Sequence, residues 1–296
     1  MSRAKIIKSF FHTGVPWMGG AILSFVFMAV SARELSVELD AMQILFWRSL
    51  ASACLMPMVL CFVGWEQIRT KRLGMQLSRG AIHFVAQYGW FFGITMIPLA
   101  DVFALEFTAP IWTVIFAVLF LRERLSFPRL GGVAIGFIGI LIVLRPGVEV
   151  IEPAAVIVLI SAALYAVAYV MVKTLTKTDS PLCIMFYMSC VQLGLAAVMS
   201  AGDWGTPSNM TLWAWVLAVG ISGLTAHYCL AQALMRGDAS TIMPIDFCRL
   251  PIIMLVGFCF YGEQIDVWVL VGALVIVIGN SLNIGHESAA RSNRPQ

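Results

Sequence analysis

The feature that most constrains this chain is a series of ten apolar stretches, each about as long as the roughly 20-residue helix that spans a bilayer. Charged or Pro/Gly/Asn-containing breaks separate them, and the longest break runs from Trp65 to Leu77. We therefore predict an all-α integral membrane protein with no soluble domain between its spans. The ten predicted transmembrane helices are 15–32, 43–64, 78–97, 100–121, 128–145, 153–173, 182–201, 211–235, 239–261 and 267–285.

Composition excludes the soluble alternative. Of the 296 residues, 60% are hydrophobic and only 12% are charged, against roughly 25% charged in ordinary soluble domains. So few charged side chains cannot cover a water-soluble core of this size, and the lipid bilayer is the expected surroundings. The formal net charge of +3 is too small to indicate a nucleic-acid partner.

The distribution of basic residues predicts the orientation. Ten spans place both termini on one side, and the loops of that side carry most of the 19 Lys and Arg residues. By the positive-inside rule we expect cytoplasmic termini, in a multi-pass protein of the cell inner membrane. The first stretch has no small-residue cleavage site and is interpreted as a retained helix. The basic residues assigned to the cytoplasmic side are Arg3, Lys5, Lys8, Arg69, Lys71, Arg72, Arg79, Arg122, Arg124, Arg129, Lys173, Lys177, Arg236, Arg291 and Arg294.

The chain also repeats itself at an offset of 140 residues, a register defined by Glu123 and Glu263. The boundaries of the predicted spans coincide at the same offset. Each half has five helices, an odd number, so equivalent helices cross the membrane in opposite directions. Inverted repeats of this kind are a transporter architecture, with the substrate site near the midplane between the halves. Identical pairs include Gly80/Gly220, Tyr88/Tyr228, Phe107/Phe247, Gly132/Gly272 and Gly139/Gly279.

The repeated segment resembles a known family. Residues 106–146, EFTAPIWTVIFAVLFLRERLSFPRLGGVAIGFIGILIVLRP, have a second copy over 246–284, and the LRERLS and YGEQID segments correspond. With the ILFWRS segment that contains Arg48, this pattern resembles the EamA branch of the drug/metabolite transporter superfamily. The resemblance implies two EamA repeats, at 15–145 and 153–285, a central cavity and transport of small metabolites. The second copy has Met188 where the first has Arg48, which argues against a symmetric role for the arginine.

Outside the two repeats lie a cytoplasmic N-terminal segment, 1–14, and a polar tail, 286–296, that we expect to be disordered.

Four ionisable residues fall inside predicted spans, where each costs roughly 2.5–3.5 kcal/mol at a helix centre. We expect Arg48 and Glu106 to lie in the outer third of the membrane and to pair. Asp246, the equivalent of Glu106, is expected in the inner third, with Arg249 nearer the middle. These groups either hold helices together as ion pairs or bind substrate, and for Asp246 and Arg249 we favour a cavity role.

Prolines lie on the fourth and ninth predicted helices, which also contain Glu106, Asp246 and Arg249. Pro110, Pro244 and Pro251 each remove a backbone hydrogen bond, and a freed carbonyl in a membrane needs another partner. We interpret them as helix breaks near the transport site, the alternative being ordinary kinks. Glu123 and Glu263 end equivalent helices and are candidates for a helix cap or a gate contact.

Further polar and aromatic candidates lie on the third, fourth and eighth helices. His83 and His227 could relay protons or bind a polar substrate, although a structural histidine is the commoner case. Tyr88, Trp112 and Tyr228 could line an aromatic wall, although packing is the commoner use of such residues.

Function is predicted as secondary transport, because the chain has no nucleotide-binding motif. We expect export of amino acids or related amphipathic metabolites, with protons as the candidate coupling ion and with no cofactor or metal. The alternatives are uptake of a vitamin or nucleoside-like compound, such as riboflavin or S-adenosylmethionine, and an intramembrane enzyme. Recognisable catalytic spacings such as HExxH and GxSxG are absent from the sequence, which argues against the enzyme. The protein is expected to be a monomer or a homodimer.

Overall fold

The computed structural model describes residues 14–121, 127–145, 152–236 and 245–292. Over these ranges the chain forms helices and no β-strand, as predicted for an all-α membrane protein. A 3₁₀ turn, Trp65–Ile68, follows the second helix. The helices are α1 (Val15–Leu35), α2 (Ala41–Val63), α3 (Leu73–Met96), α4a (Leu99–Glu106), α4b (Ala109–Leu121), α5 (Phe127–Leu144), α6 (Pro153–Leu175), α7 (Pro181–Met199), α8 (Met210–Arg236), α9 (Arg249–Tyr261) and α10 (Val267–Ser292).

These helices correspond to the ten predicted spans, the fourth of which is divided into α4a and α4b. α10 continues to Ser292, so residues 286–292 are helical where a disordered tail was predicted. Within the described residues, α1, α2, α6, α7 and α8 each contain a segment long and apolar enough to cross a membrane, and α5, α9 and α10 contain shorter apolar segments. The third helix begins at Leu73 rather than at residue 78. Arg79 is therefore buried in α3, which corrects its assignment to the basic surface of the cytoplasmic side.

The internal repeat is visible in how equivalent helices begin. The Asp40 carboxylate caps α2 by accepting a hydrogen bond of 2.8 Å from the Gln43 backbone N–H. The Ser180 hydroxyl caps α7 by accepting one of 3.1 Å from the Cys183 backbone N–H. Both the caps and the donors are separated by the repeat offset of 140 residues. Because such side chains satisfy the free N–H groups of a first turn, the same start signal operates in both halves.

Helix packing follows the same symmetry. The most extensive contacts join α5 to α10, α1 to α8, α3 to α6 and α2 to α7. Exchanging the two halves converts the α1–α8 contact into the α6–α3 contact and leaves the other two pairs unchanged. The halves therefore surround a pseudo-two-fold axis, as inverted repeats require.

Glycines allow α5 and α10 to approach at backbone distance. A Cβ atom added at Gly139 would lie 2.7 Å from the Gly272 carbonyl oxygen, and one added at Gly279 would lie 2.6 Å from the Gly132 carbonyl oxygen. Only residues without a Cβ fit this contact, which we call the glycine seam. The seam joins the last helix of each repeat.

Gly139→Ala tests the glycine seam. We expect it to lower the free energy of unfolding by about 1–3 kcal/mol, because the added methyl group meets backbone atoms that move only if the helices separate. Gly131→Ala on the same helix is the control, since a Cβ there has no neighbour within 4 Å. Unfolding in detergent micelles provides the measurement, and equal stability of the two variants would contradict the role of the seam.

Candidate functional site

Two helix breaks meet at the centre of the molecule. Phe107 and Thr108 separate α4a from α4b, and a turn at Phe247 and Cys248 precedes α9. The Phe107 and Phe247 rings, which are equivalent in the repeat, touch edge to face with centroids 5.1 Å apart. The breaks lie where Pro110 and Pro251 predict them. The predicted break at Pro244 and the predicted helix end at Glu123 lie outside the described residues.

The broken backbone of the fourth span finds a side-chain partner. The Ile111 N–H donates to the Thr108 carbonyl, so the Phe107 carbonyl has no helical donor four residues on. The amide of Asn280 on α10 donates to that carbonyl at 2.8 Å, and Asn280 is fully buried. Sequence reasoning missed Asn280, although an amide inside an apolar span is itself a signal of a backbone or side-chain partner.

Arg249 is the centre of a buried ion cluster. Its Nη2 lies 3.1 Å from Oε1 of Glu106 and 3.1 Å from Oδ2 of Asp246. The other carboxylate oxygen of Glu106 accepts a 2.8 Å hydrogen bond from the indole N–H of Trp90. The guanidinium also faces the rings of Phe25, Phe103 and Phe107, at 4.7, 5.0 and 5.1 Å from their centroids. One arginine thus joins the two broken helices through charge and aromatic contacts.

This arrangement corrects two expectations. Glu106 pairs with Arg249 and not with Arg48, because α9 and not α2 packs beside α4a. Glu106 and Asp246 also do not lie in opposite thirds of the membrane, since both carboxylates contact the same guanidinium. Asp246 and Arg249, which the sequence placed on one helical face, do pair, but across the turn at Phe247 and Cys248.

Arg48 belongs to a second group of side chains, which we call the polar network. Its Nη1 donates to the Gln192 carboxamide oxygen at 2.9 Å. The Gln192 amide nitrogen lies 2.7 Å from the side-chain oxygen of Gln87 and 2.9 Å from Nδ1 of His83. All four side chains are buried. The network joins α2, α3 and α7 and therefore crosses between the two repeats.

Helix α3 supplies a polar stripe to both groups. Arg79, His83, Gln87 and Trp90 recur at intervals of three or four residues and are all buried, so they share one helical face. Sequence reasoning identified neither Arg79 nor Gln87 as a candidate for the site. The spacing of these four residues is visible in the sequence and indicates a polar face on this helix.

Aromatic contacts connect the polar network to the ion cluster. The rings of His83 and His227 lie 5.5 Å apart, and His227 lies 5.5 Å from Phe25, which faces Arg249. From the sixth span, Tyr165 packs edge to face on His83 at 5.2 Å and Tyr169 stacks on Tyr165 at 6.1 Å. The two groups therefore form a continuous polar and aromatic centre, which we take as the candidate site.

Several buried polar atoms in this centre have no hydrogen-bond partner in the described protein. Buried donors without partners are costly, so such atoms indicate where water or a solute would bind. These atoms are Nε of Arg48, Nε and Nη1 of Arg79, Nε2 of His83, Oδ1 of Asp246, and Nε and Nη1 of Arg249.

Three predicted aromatic candidates do not join this centre. Tyr88 is exposed on the outer surface of the bundle beside Phe92. Tyr228 packs on Trp17, and Trp112 packs between Phe116 and Phe137. The described contacts do not join these three side chains to one another, so the single aromatic wall proposed from the sequence is wrong. Trp112 instead lies beside the first helix break, where its indole N–H donates to the Thr108 hydroxyl at 3.2 Å.

Glu263 lies at one end of the bundle, in a contact between the repeats that we call the latch. Its carboxylate accepts hydrogen bonds from Arg33 Nη2 at 3.1 Å and from the Leu99 backbone N–H at 3.0 Å. Arg33 also donates to the Ile97 carbonyl at 2.7 Å. Burial raises the pKa of Glu263, although Arg33 and the Leu99 N–H favour its charged form. Acidification at this end would therefore weaken the latch.

Comparison with known proteins agrees with this architecture. The model of the EamA-like transporter family matches residues 12–145 and 153–285. The chain is 26% identical over 282 residues to the S-adenosylmethionine uptake transporter of Rickettsia conorii, covering 95% of each protein. It is 26% identical over 269 residues to the riboflavin transporter of Vibrio cholerae, covering 90% of each. It is 26% identical over 260 residues to the pseudopaline exporter CntI of Pseudomonas aeruginosa, covering 87% of this chain and 91% of that protein.

A solved crystal structure shares the fold, with a TM-score of 0.64 at 16% sequence identity. The match covers 95% of this chain and 99% of the other.

Gly223→Ala tests the position of Arg48. A Cβ at Gly223 would lie 2.9 Å from Nε and Nη2 of Arg48, so we expect the guanidinium to move while the helices stay in place. Solute binding should weaken by about tenfold or more, because a charged hydrogen bond contributes roughly 1.5–3 kcal/mol. Gly194→Ala, where a Cβ has open space, is the control. Ligand-induced thermal stabilisation measures the effect, and unchanged binding would contradict a role for Arg48.

Arg249→Met tests whether the ion cluster holds the centre together. We expect a loss of about 3–5 kcal/mol, because two buried carboxylates lose their cation. Combining it with Glu106→Gln and Asp246→Asn should restore most of this stability. Arg236→Met, at an exposed arginine, is the control. Thermal unfolding of the purified proteins is the measurement, and failure of the triple variant to recover would show that packing, not charge, dominates.

Proposed function

The chain belongs to the EamA-like transporter family, and we propose that it takes up a small amino-acid-type metabolite by secondary, alternating-access transport. The observation that carries this proposal is the ion cluster at the meeting point of two broken helices. Discontinuous helices at equivalent positions of inverted repeats are typical of transport sites, because their ends supply unpaired polar groups near the midplane. We place the two repeats at 15–145 and 153–285, in the inner membrane with cytoplasmic termini.

The contacts between repeats suggest how access could alternate. The latch joins Arg33 and Leu99 of the first repeat to Glu263 of the second. The Tyr261 hydroxyl donates to the Glu34 carboxylate at 2.8 Å, and Arg145 pairs with Asp266. All three contacts lie at the same end of the bundle. Rocking of one repeat against the other would break the first two contacts and open that end, while the glycine seam and the Arg145–Asp266 pair keep α5 and α10 joined.

Proton coupling is the second part of the proposal. Glu106 and Asp246 share one cation, so protonation of one carboxyl leaves an ion pair intact instead of an isolated charge. The cluster could therefore alternate between two states of different charge at low cost. A solute that binds only while this cluster holds a proton would cross the membrane together with that proton, so an inward proton gradient would drive its uptake.

The names of the relatives support the choice of solute. S-adenosylmethionine, named for the rickettsial relatives, carries the carboxylate and ammonium groups of an amino acid. Both polarities are available at the candidate site, in Arg48 and in the unsatisfied Oδ1 of Asp246. The pseudopaline exporter keeps export as the second candidate for direction. Uptake is proposed first because uptake transporters match the chain over 95% of its length.

Flux into proteoliposomes tests the function. The purified protein is reconstituted and given labelled S-adenosylmethionine, labelled amino acids or riboflavin, with and without a pH gradient, and efflux from preloaded vesicles is followed in parallel. We expect protein-dependent accumulation that rises with an inward proton gradient. Glu106→Gln should abolish the response to the gradient, whereas Glu66→Gln, in the exposed 3₁₀ turn, should retain it.

The outcomes separate the parts of the proposal. Flux that is identical with and without the gradient would overturn proton coupling, and gradient-driven efflux alone would overturn uptake. Absence of flux for every solute class would overturn transport by the isolated protein.

A further inference from the structure

The buried charges of the candidate site do not balance. Among the residues that the structure describes, three arginines are buried, namely Arg48, Arg79 and Arg249, which are 1%, 5% and 3% exposed. The two carboxylates of the site, Glu106 and Asp246, are largely buried and both contact Arg249. The buried Asp179 carboxylate lies outside the site, where it accepts hydrogen bonds from Thr70 and Gln76. Neither Arg48 nor Arg79 has a carboxylate partner among the residues that the structure describes. The site therefore has an excess of positive charge, located away from the ion cluster.

Arg48 and Arg79 approach the same histidine from different helices. Arg79 precedes His83 by one turn of α3, a rise of about 6 Å along the helix axis. Arg48 reaches His83 through Gln192, whose amide group contacts both side chains. Nε of Arg48, Nε and Nη1 of Arg79, and Nε2 of His83 are all buried without a hydrogen-bond partner. The unused nitrogen atoms thus belong to His83, to an arginine one turn away on the same helical face and to an arginine linked to His83 through Gln192.

Such an arrangement is costly unless something binds there. A buried guanidinium without a counter-ion loses its hydration and gains no ion pair in return. Inside a membrane such residues mark substrate or ion pathways for this reason. Gly223 adds to the argument, because the space left by its missing side chain is occupied by the Arg48 guanidinium. The chain is therefore built to accommodate this charge at the centre.

We propose that Arg48 and Arg79 together bind a carboxylate group of the transported solute. This inference rests on the proposed transport function. It assigns part of the recognition of the solute to Arg79, which the sequence analysis assigned to the cytoplasmic loops. A guanidinium presents parallel N–H donors that match the two oxygens of a carboxylate. Gln192 fixes the orientation of Arg48, and the Nε2 side of His83 faces the same group.

The charge count favours a carboxylate over a phosphate. Within the candidate site three guanidinium groups face two carboxylates, so one carboxylate group of a solute supplies the counter-ion that Arg48 and Arg79 lack. A phosphate monoester would bring up to two negative charges and leave the opposite imbalance. A carboxylate-free solute such as riboflavin would leave both arginines without a counter-ion.

Matched pairs of probes test the proposal. Thermal stabilisation of the purified protein is measured with S-adenosylmethionine and its decarboxylated form, with L-methionine and 3-(methylthio)propylamine, and with the other standard amino acids, riboflavin and inorganic phosphate. The same compounds are tested for flux. The variants are Arg79→Gln, Arg79→Lys and Arg48→Gln, and the control is Arg69→Gln, the same change at an exposed arginine.

We expect carboxylated probes alone to stabilise the wild type, with at least a tenfold loss of affinity on decarboxylation and a similar loss in Arg79→Gln and Arg48→Gln. Arg79→Lys should bind more tightly than Arg79→Gln, because it keeps the charge without the paired donors. Arg69→Gln should match the wild type. If Arg79→Gln fails to fold, the affinities of Arg79→Lys and Gly223→Ala for the carboxylated probes are compared with that of the wild type instead.

Equal binding of a probe and its decarboxylated form would overturn the inference and leave the transport proposal standing, as would stabilisation by riboflavin or phosphate alone. Binding of carboxylated probes without flux would support the inference and overturn transport. Absence of stabilisation by every probe would overturn the inference.

Discussion

The structure depends on how a few charges are held inside a medium that does not solvate them. Arg249 satisfies two carboxylates at once, and aromatic rings cover the faces of its guanidinium. These contacts form only because the fourth and ninth spans are interrupted, which brings the ends of α4a and α9 together near the pseudo-two-fold axis. The prolines, the ion cluster and the Phe107–Phe247 contact are therefore parts of one arrangement. Without it, both broken helices would expose backbone groups to an apolar environment.

The polar network holds a buried charge in a different way. Here the Gln192 amide binds Arg48 and is itself held by His83 and Gln87, and no acidic side chain in the described part of the chain pairs with Arg48. A cation held only by neutral dipoles remains available to an external anion, whereas the charge of Arg249 is already balanced by two carboxylates. The two arginine environments thus differ in which group of a solute they can accept.

Much of the fold was predictable because the bilayer imposes strong and simple rules. The length of the apolar stretches gave ten spans, and the repeat at 140 residues gave the relation between the halves. Pro110 and Pro251 gave the helix breaks. The partner of Arg48 was not predictable, because α2 is apolar on most of its circumference and its sequence does not specify which side faces α7. Arg79 was misassigned because the start of α3 was placed five residues too late. The stripe formed by Arg79, His83 and Gln87 could still have been recognised.

The glycine seam has a consequence for the history of the fold. Gly132 and Gly139 of α5 contact Gly279 and Gly272 of α10, and each glycine of one helix is the repeat equivalent of a glycine in the other. A surface that pairs with an inverted copy of itself does not require both copies to be on one polypeptide. Two separate five-helix chains, inserted in opposite orientations, could form the same contact as an antiparallel dimer. Joining them into a single chain would fix a pairing that the helix surfaces already favoured.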